Sequence, residues 1–102
     1  MTVLLLDFAP AAWEEYQRQR AGEMGARLRR ALERLTEDPE GVRTEAGSRR
    51  YQIIEDALQQ APEVWGMAVE APDSALWLVI WREMARVIEI GYIGPAPGTP
   101  AA

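Results

Sequence analysis

The sequence predicts an α+β domain in which an N-terminal strand and an α-helical hairpin precede an antiparallel β-meander, the helices packing on one face of the sheet. Three observations predict it. Apolar residues crowd Val3 to Phe8 and stop before Pro10; apolar residues then recur at helical spacing as far as Leu35; beyond Ser48 the pattern changes to short apolar runs separated by turn residues. With 102 residues and a hydrophobic fraction of 48%, the chain can build one core without disulfides or metal.

Val3 to Phe8 reads as an opening strand buried on at least one face. The run Val3 to Leu6 is too short for a signal sequence and runs directly into Asp7, so neither a leader nor a membrane span is expected and the cytoplasm is the expected compartment. Pro10 suits the first turn of a helix, where a missing N–H costs nothing, and Ala12, Trp13 and Tyr16 form the inward stripe of that helix. Gly22 and Gly25 punctuate the chain. Met24, Leu28, Ala31, Leu32 and Leu35 then mark a second helix that Asp38 and Pro39 stop. Arg27, Arg30 and Arg34 share the other side of this helix, as a phosphate-facing stripe or as a solvated face balanced by Glu23, Glu33 and Glu37; the second is the ordinary state of an exposed helix face.

After a polar stretch from Gly41 to Ser48, strands are expected at Arg49 to Ile54, Val64 to Glu70, Trp77 to Arg82 and Val87 to Ile93, with a loop at Asp56 to Pro62. The domain is expected to span residues 1–94. Residues 95–102 carry no large apolar side chain and are expected to form a flexible tail rich in Pro, Ala and Gly. A four-residue turn at Ala71 to Ser74 would pair Glu70 with Ala75, and a turn at Met84 and Ala85 would pair Glu83 with Arg86. Those registers collect Val64, Gly66, Ala68, Trp77, Val79, Trp81, Ile88, Ile90 and Tyr92 on a core face, where small residues let helices approach. The opposite face collects Trp65, Met67, Val69, Leu76, Leu78, Ile80 and Ile93, with Arg82 and Glu89 among them. It is too apolar to stay wet, which predicts a partner chain, self-association into a homodimer, or cover from the loop at Asp56 to Pro62. A turn of odd length would swap the faces and leave both apolar.

The composition narrows the chemistry. All eleven basic residues are arginine, and lysine, histidine, cysteine and asparagine are absent, so there is neither an imidazole base nor a thiolate nucleophile. The net charge of −5 arises in the second half, where seven acids meet only Arg82 and Arg86, and this argues against strong non-specific nucleic-acid binding. The acidic pairs Glu14 with Glu15, Glu37 with Asp38 and Glu55 with Asp56 are adjacent rather than convergent, so no metal and no cofactor is expected.

The segment LDFAPAAWEEY from Leu6 to Tyr16, the leucine-rich helix closing in Leu35, Thr36, Glu37, Asp38 and Pro39, the strand Arg50 to Ile54 and the last strand Val87 to Gly94 together resemble the RelE/ParE family of toxin components from bacterial type II toxin–antitoxin systems. The resemblance implies a cytoplasmic protein that binds a cognate antitoxin across the open sheet face. It also implies one of two targets: metal-independent cleavage of messenger RNA on the ribosome, or poisoning of DNA gyrase in the ParE branch. Family members that cut RNA use basic side chains in the second strand, in a middle strand and after the last strand, where cations balance charge developing at the scissile phosphate. The matching places here hold Gln52 and Ile54, Gly66 or Leu76, and Pro95 and Ala96.

Arg49, Arg50 and Arg82 are the displaced arginines that would have to serve as catalytic residues, although Arg82 and Glu89 equally suit a cross-strand salt bridge. Tyr51 and Tyr92 are candidates to stack a base or donate a proton, or are simply core. Trp13, Trp77 and Trp81 are expected in the core and Trp65 as a partner anchor, together with Met67, Val69, Leu76, Leu78, Ile80 and Glu89. The remaining reading is a non-catalytic binding or homodimerising module on the same scaffold.

Overall fold

Strand β1, Leu5–Phe8, leads through Ala9 into helix α1, Pro10–Gln19, and the proline occupies the position where no helical hydrogen bond is lost. The computed structural model describes residues 4–45, 48–51 and 64–96. Gly22 caps helix α2, Glu23–Glu37, and Gly25 lies in its first turn. A Cβ on Gly25 would lie 2.8 Å from the carbonyl oxygen of Arg20 and closer still to that of Gln19. The corner between α1 and α2 therefore needs a residue without a side chain.

Asp38 ends α2 and also begins helix α3, Pro39–Arg43, because Gly41 donates its N–H to Asp38 Oδ1 at 3.0 Å. The stretch expected to be merely polar from Gly41 thus starts inside a helix. Asp followed by Pro is a stop for the helix before it and a cap with a proline N1 for the helix after it.

Strands β2 (Ser48–Tyr51), β3 (Val64–Glu70), β4 (Leu76–Met84) and β5 (Val87–Pro95) follow, and the five-stranded sheet has the order β1-β5-β4-β3-β2. The meander β2 to β5 is antiparallel, and β1 pairs parallel to β5. This is the expected α+β architecture. The expected second strand beyond Tyr51 and the loop at Asp56 to Pro62 lie outside the described residues. β5 continues through Pro95, and Ala96 donates its N–H to Leu76 O at 3.0 Å, so ordered structure passes the expected boundary at Gly94. Residues 97–102 lie outside the described ones.

The core forms where α2 lies on the sheet. Met24, Leu28, Ala31, Leu32 and Leu35 all bury against it, as their spacing requires. From the sheet side they meet Met67, Val69, Val79, Trp81, Ile88, Ile90 and Ile93, while Val42 of α3 closes one end. Trp13 departs from its expected place and is 46% exposed. Its ring leans on Phe8 and Tyr16, with centroids 5.2 and 6.0 Å away, so the aromatic contact forms at the rim of the core.

Two local features decide which side chains face the helices. The β3–β4 connection is odd: Ala71 donates to Ala75 O, Ser74 donates to Ala71 O, and Ser74 adopts φ 70°. Pro72, Asp73 and Ser74 therefore make a three-residue loop with a left-handed last position, and Glu70 pairs with Leu76 rather than Ala75. All of β3 is reversed relative to the expected faces. The β4–β5 turn has Ala85 at φ 53° and pairs Met84 with Val87, which shifts the expected register by two and preserves its facing. Beyond it Trp81 pairs with Ile90 but Ile80 pairs with Tyr92, leaving Gly91 as the extra residue of a bulge. That bulge turns Ile93 inward and Tyr92 outward, opposite to expectation.

Candidate partner-binding face

The side of the sheet away from the helices is built from β3, β4 and β5. Cross-strand partners share a face, so the register makes rows of Gly66, Ile80 and Tyr92, of Ala68, Leu78 and Gly94, and of Val64, Arg82 and Glu89. Leu76 stands 49% exposed at one end, while Ile80, Val64 and Ala68 are half-buried and Leu78 is only 6% exposed. The centre of the face is flat because glycine and alanine alternate with the two aliphatics. Tyr92 does not stand up from it: its hydroxyl donates to Pro95 O at 2.7 Å, and the ring lies across Gly94, where a Cβ would come 2.7 Å from the phenolic oxygen. Its O–H is therefore engaged within the chain.

The charged end of the face is a closed pair. Arg82 and Glu89 are directly opposite, and Arg82 donates to Glu89 Oε1 from Nε at 2.8 Å and from Nη2 at 2.6 Å. Asp7 of β1 pairs with Glu89 from the other side. A guanidinium held at two nitrogens by one carboxylate would have to exchange that partner to grip a phosphate. Arg49 pairs in register with Gly66 and Arg50 with Trp65, which puts both on the edge strand, two strands away from Arg82. The three arginines proposed from the sequence are thus spread from the sheet edge to β4.

Among the residues expected to bind a partner, Leu76, Leu78, Ile80 and Glu89 are on the open side. Trp65, Met67 and Val69 are not. Met67 is 4% and Val69 9% exposed, both inside the core under α2, and Trp65 packs against that core from its margin. The five-residue connection from Ala71 to Ala75 is the cause. One signal for it was present in the sequence: Asp73, whose Oδ1 accepts from Ala75 N–H at 3.0 Å; the glycine inside the last strand is instead a common mark of the β5 bulge that turns Ile93 inward.

Sequence reasoning also missed Arg43. From α3 its Nη2 reaches Glu83 Oε1 at 2.6 Å, and its guanidinium lies 5.9 Å from the ring centre of Trp65 and 5.4 Å from that of Trp81. A cation over two indoles and beside a carboxylate seals the open end of the core and ties α3 to β4. Trp65 is therefore roofed by Arg43 instead of being presented to a partner.

Among the described residues no group of acids is arranged to hold a metal ion, and no helix is long and apolar enough to cross a membrane. No family model matches the chain, and no curated protein or solved structure matches it either.

Proposed function

We propose that this chain is a RelE/ParE-like toxin component whose open sheet face binds a segment of a cognate antitoxin. The observation that carries the reading is the apolar character of that face, the half-buried Ile80, Val64 and Ala68 beside the exposed Leu76, on the side of the sheet that carries no described helix. The order of strand, helical hairpin and meander, together with the motifs from Leu6 to Tyr16 and from Leu35 to Pro39, supports the family resemblance. Binding is favoured over catalysis as the role of this face, since Arg82 is already held by Glu89 and Arg49, in register with Gly66, is two strands away from it.

A second reading, favoured by that same closed pair, is a non-catalytic binding or homodimerising module on the scaffold. Ribosome-dependent cleavage of messenger RNA would require Arg49, Arg50 or Arg82 to work from displaced positions, whereas for action on DNA gyrase the missing cations would matter less.

The test is controlled induction of the chain alone in bacteria, beside an Arg49→Ala, Arg50→Ala, Arg82→Ala triple variant of equal stability and beside co-expression of the reading frame adjacent to its gene. Growth arrest that the co-expressed partner relieves, with the partner co-purifying and lost on Ile80→Asp, supports the toxin reading. Arrest lost in the triple variant would add cationic chemistry. Absence of arrest, with self-association lost on Ile80→Asp, would leave the homodimerising module.

A further inference from the structure

Past the pair of Arg82 and Glu89 the open side of the sheet continues to the β4–β5 turn, and its last row is apolar. Leu5 of β1 pairs with Val87 of β5, and Val87 pairs with Met84 of β4. Each lies two residues along its own strand from Asp7, Glu89 and Arg82 respectively, so the three share the face of those charges. Leu5 is 69% and Met84 39% exposed, two of the four exposed large apolar side chains among the described residues, and Val87 between them is half-buried. The charged row beside them is short of one cation. Asp7 is exposed and its side chain has no hydrogen bond or ion pair among the described residues, while Glu89, next to it in register, is the partner of Arg82. The arginine of the turn, Arg86, is exposed and pairs with neither carboxylate.

We infer that this corner of the open side docks a basic amphipathic helix of a partner protein, with one apolar turn over Leu5, Val87 and Met84 and an arginine or lysine one turn on, beside Asp7 and Glu89. The dimensions support it. Leu5 and Met84 are two strand spacings apart, about 10 Å, and a helix with its side chains is about 10–12 Å across, so a helix lying along β5 touches both. The apolar and charged rows are separated by roughly 6.6 Å along the strands, and residues i and i+4 of a helix by about 6 Å along its axis. Charge supports it too. Asp7 and Glu89 stand side by side and repel, and Arg82 balances one of them.

The charge of the chain selects the occupant. A second copy would bring another net −5 against these carboxylates, and the half of the chain that supplies β4 and β5 holds seven acids against Arg82 and Arg86. A nucleic acid would be repelled for the same reason. A metal ion lacks a third ligand, since no group of three acids among the described residues is arranged to hold one. The inference does not rest on the antitoxin reading, because Ile80, Ala68 and Leu76 lie beyond the charged row.

The experiment is fluorescence anisotropy of the whole chain with a labelled helical peptide that carries leucines in one turn and a single arginine four residues on, beside a counterpart with glutamate in place of that arginine. The arginine peptide is expected to bind and to weaken with salt. The double variant Leu5→Thr, Met84→Thr keeps β-branched side chains suited to a strand and is expected to lower affinity roughly tenfold or more, because the apolar area is no longer buried. Asp7→Asn should lower it roughly twofold to fivefold, the effect of an exposed ion pair. Glu37→Gln, the same change of net charge placed on α2, should leave binding unchanged. Absence of binding, equal binding of the glutamate counterpart, or full affinity in the double variant overturns the inference. So does a loss in Glu37→Gln equal to that in Asp7→Asn, which would make the attraction one of net charge alone. Self-association in sedimentation that the double variant abolishes would give the row to a second copy and overturn it as well. An unchanged far-UV spectrum and melting temperature verify the fold of each variant, and Asp7→Asn with the glutamate counterpart tests the inference without the double variant.

Discussion

The two sides of the sheet are made from the same three strands and differ in what lies on them. The helix side gathers Trp81, Val79, Ile88, Ile90 and Ile93 with Met67 and Val69, large or branched side chains that interlock with the leucines of α2. The open side gathers Gly66, Ala68 and Gly94 around Leu78 and Ile80, ending in the Arg82 and Glu89 pair. One side is committed to stability. The other is flat at its centre, and its Arg82 is held by Glu89. The lesson is that apolar residues alone do not identify a core; volume, and the element that covers it, do.

The strongest way to break this contrast is to change the parity of the β3–β4 connection. Deleting Ser74 would force β3 to turn over or leave the ladder, taking Met67 and Val69 out of the core at a cost of about 3–6 kcal/mol; chemical denaturation should show a correspondingly lower midpoint or no cooperative transition. Trp81→Ala, which empties the centre of the helix side, should cost about 3–5 kcal/mol in the same measurement, while Ile80→Ala on the open side should cost about 1–2 kcal/mol. Equal losses at these adjacent positions would mean that the two sides are equally packed.

Smaller changes sharpen the contrast. Gly25→Ala, which presses a methyl group on the α1 carbonyls, should cost about 1–3 kcal/mol by lifting one helix from the other. Ala85→Gly should instead raise stability by up to about 1 kcal/mol, since φ 53° is a strain for alanine. The smallest effect belongs to the open-side ion pair. A double-mutant cycle on Arg82 and Glu89 should give a coupling of about 0.5 kcal/mol that shrinks with added salt, because both side chains are a quarter to a third exposed. A coupling that is large and insensitive to salt would mark the pair as a buried structural bridge.

Much of the fold was legible because its signals are local. The burial of Met24, Leu28, Ala31, Leu32 and Leu35 follows from a 3.6-residue period, and the helix starts and stops at Pro10 and Asp38 follow from the backbone chemistry of proline. The open face was only half legible. Leu76, Leu78, Ile80 and Arg82 share one face of β4 whatever the turns do, and Glu89 keeps its side because the β4–β5 register moves by two, whereas the side taken by Trp65, Met67 and Val69 depends on counting through the β3–β4 turn. A strand repeats every two residues, so a miscount of one exchanges both faces.

By itself the sequence determined the α+β class, the helical hairpin, the antiparallel meander and an apolar sheet on both sides, since each depends on periodicity and on where proline, glycine and aspartate interrupt it. Only the tertiary structure decided which residues of β3 and β5 face the helices, that Arg82 is held by Glu89, that Arg43 roofs Trp65 and Trp81, and that Leu5 and Met84 flank Val87 in one row. Those outcomes depend on a left-handed residue at Ser74, a bulge at Gly91 and side chains brought together from distant elements. Hydrophobic pattern constrains each segment separately, and register and contact exist only between segments.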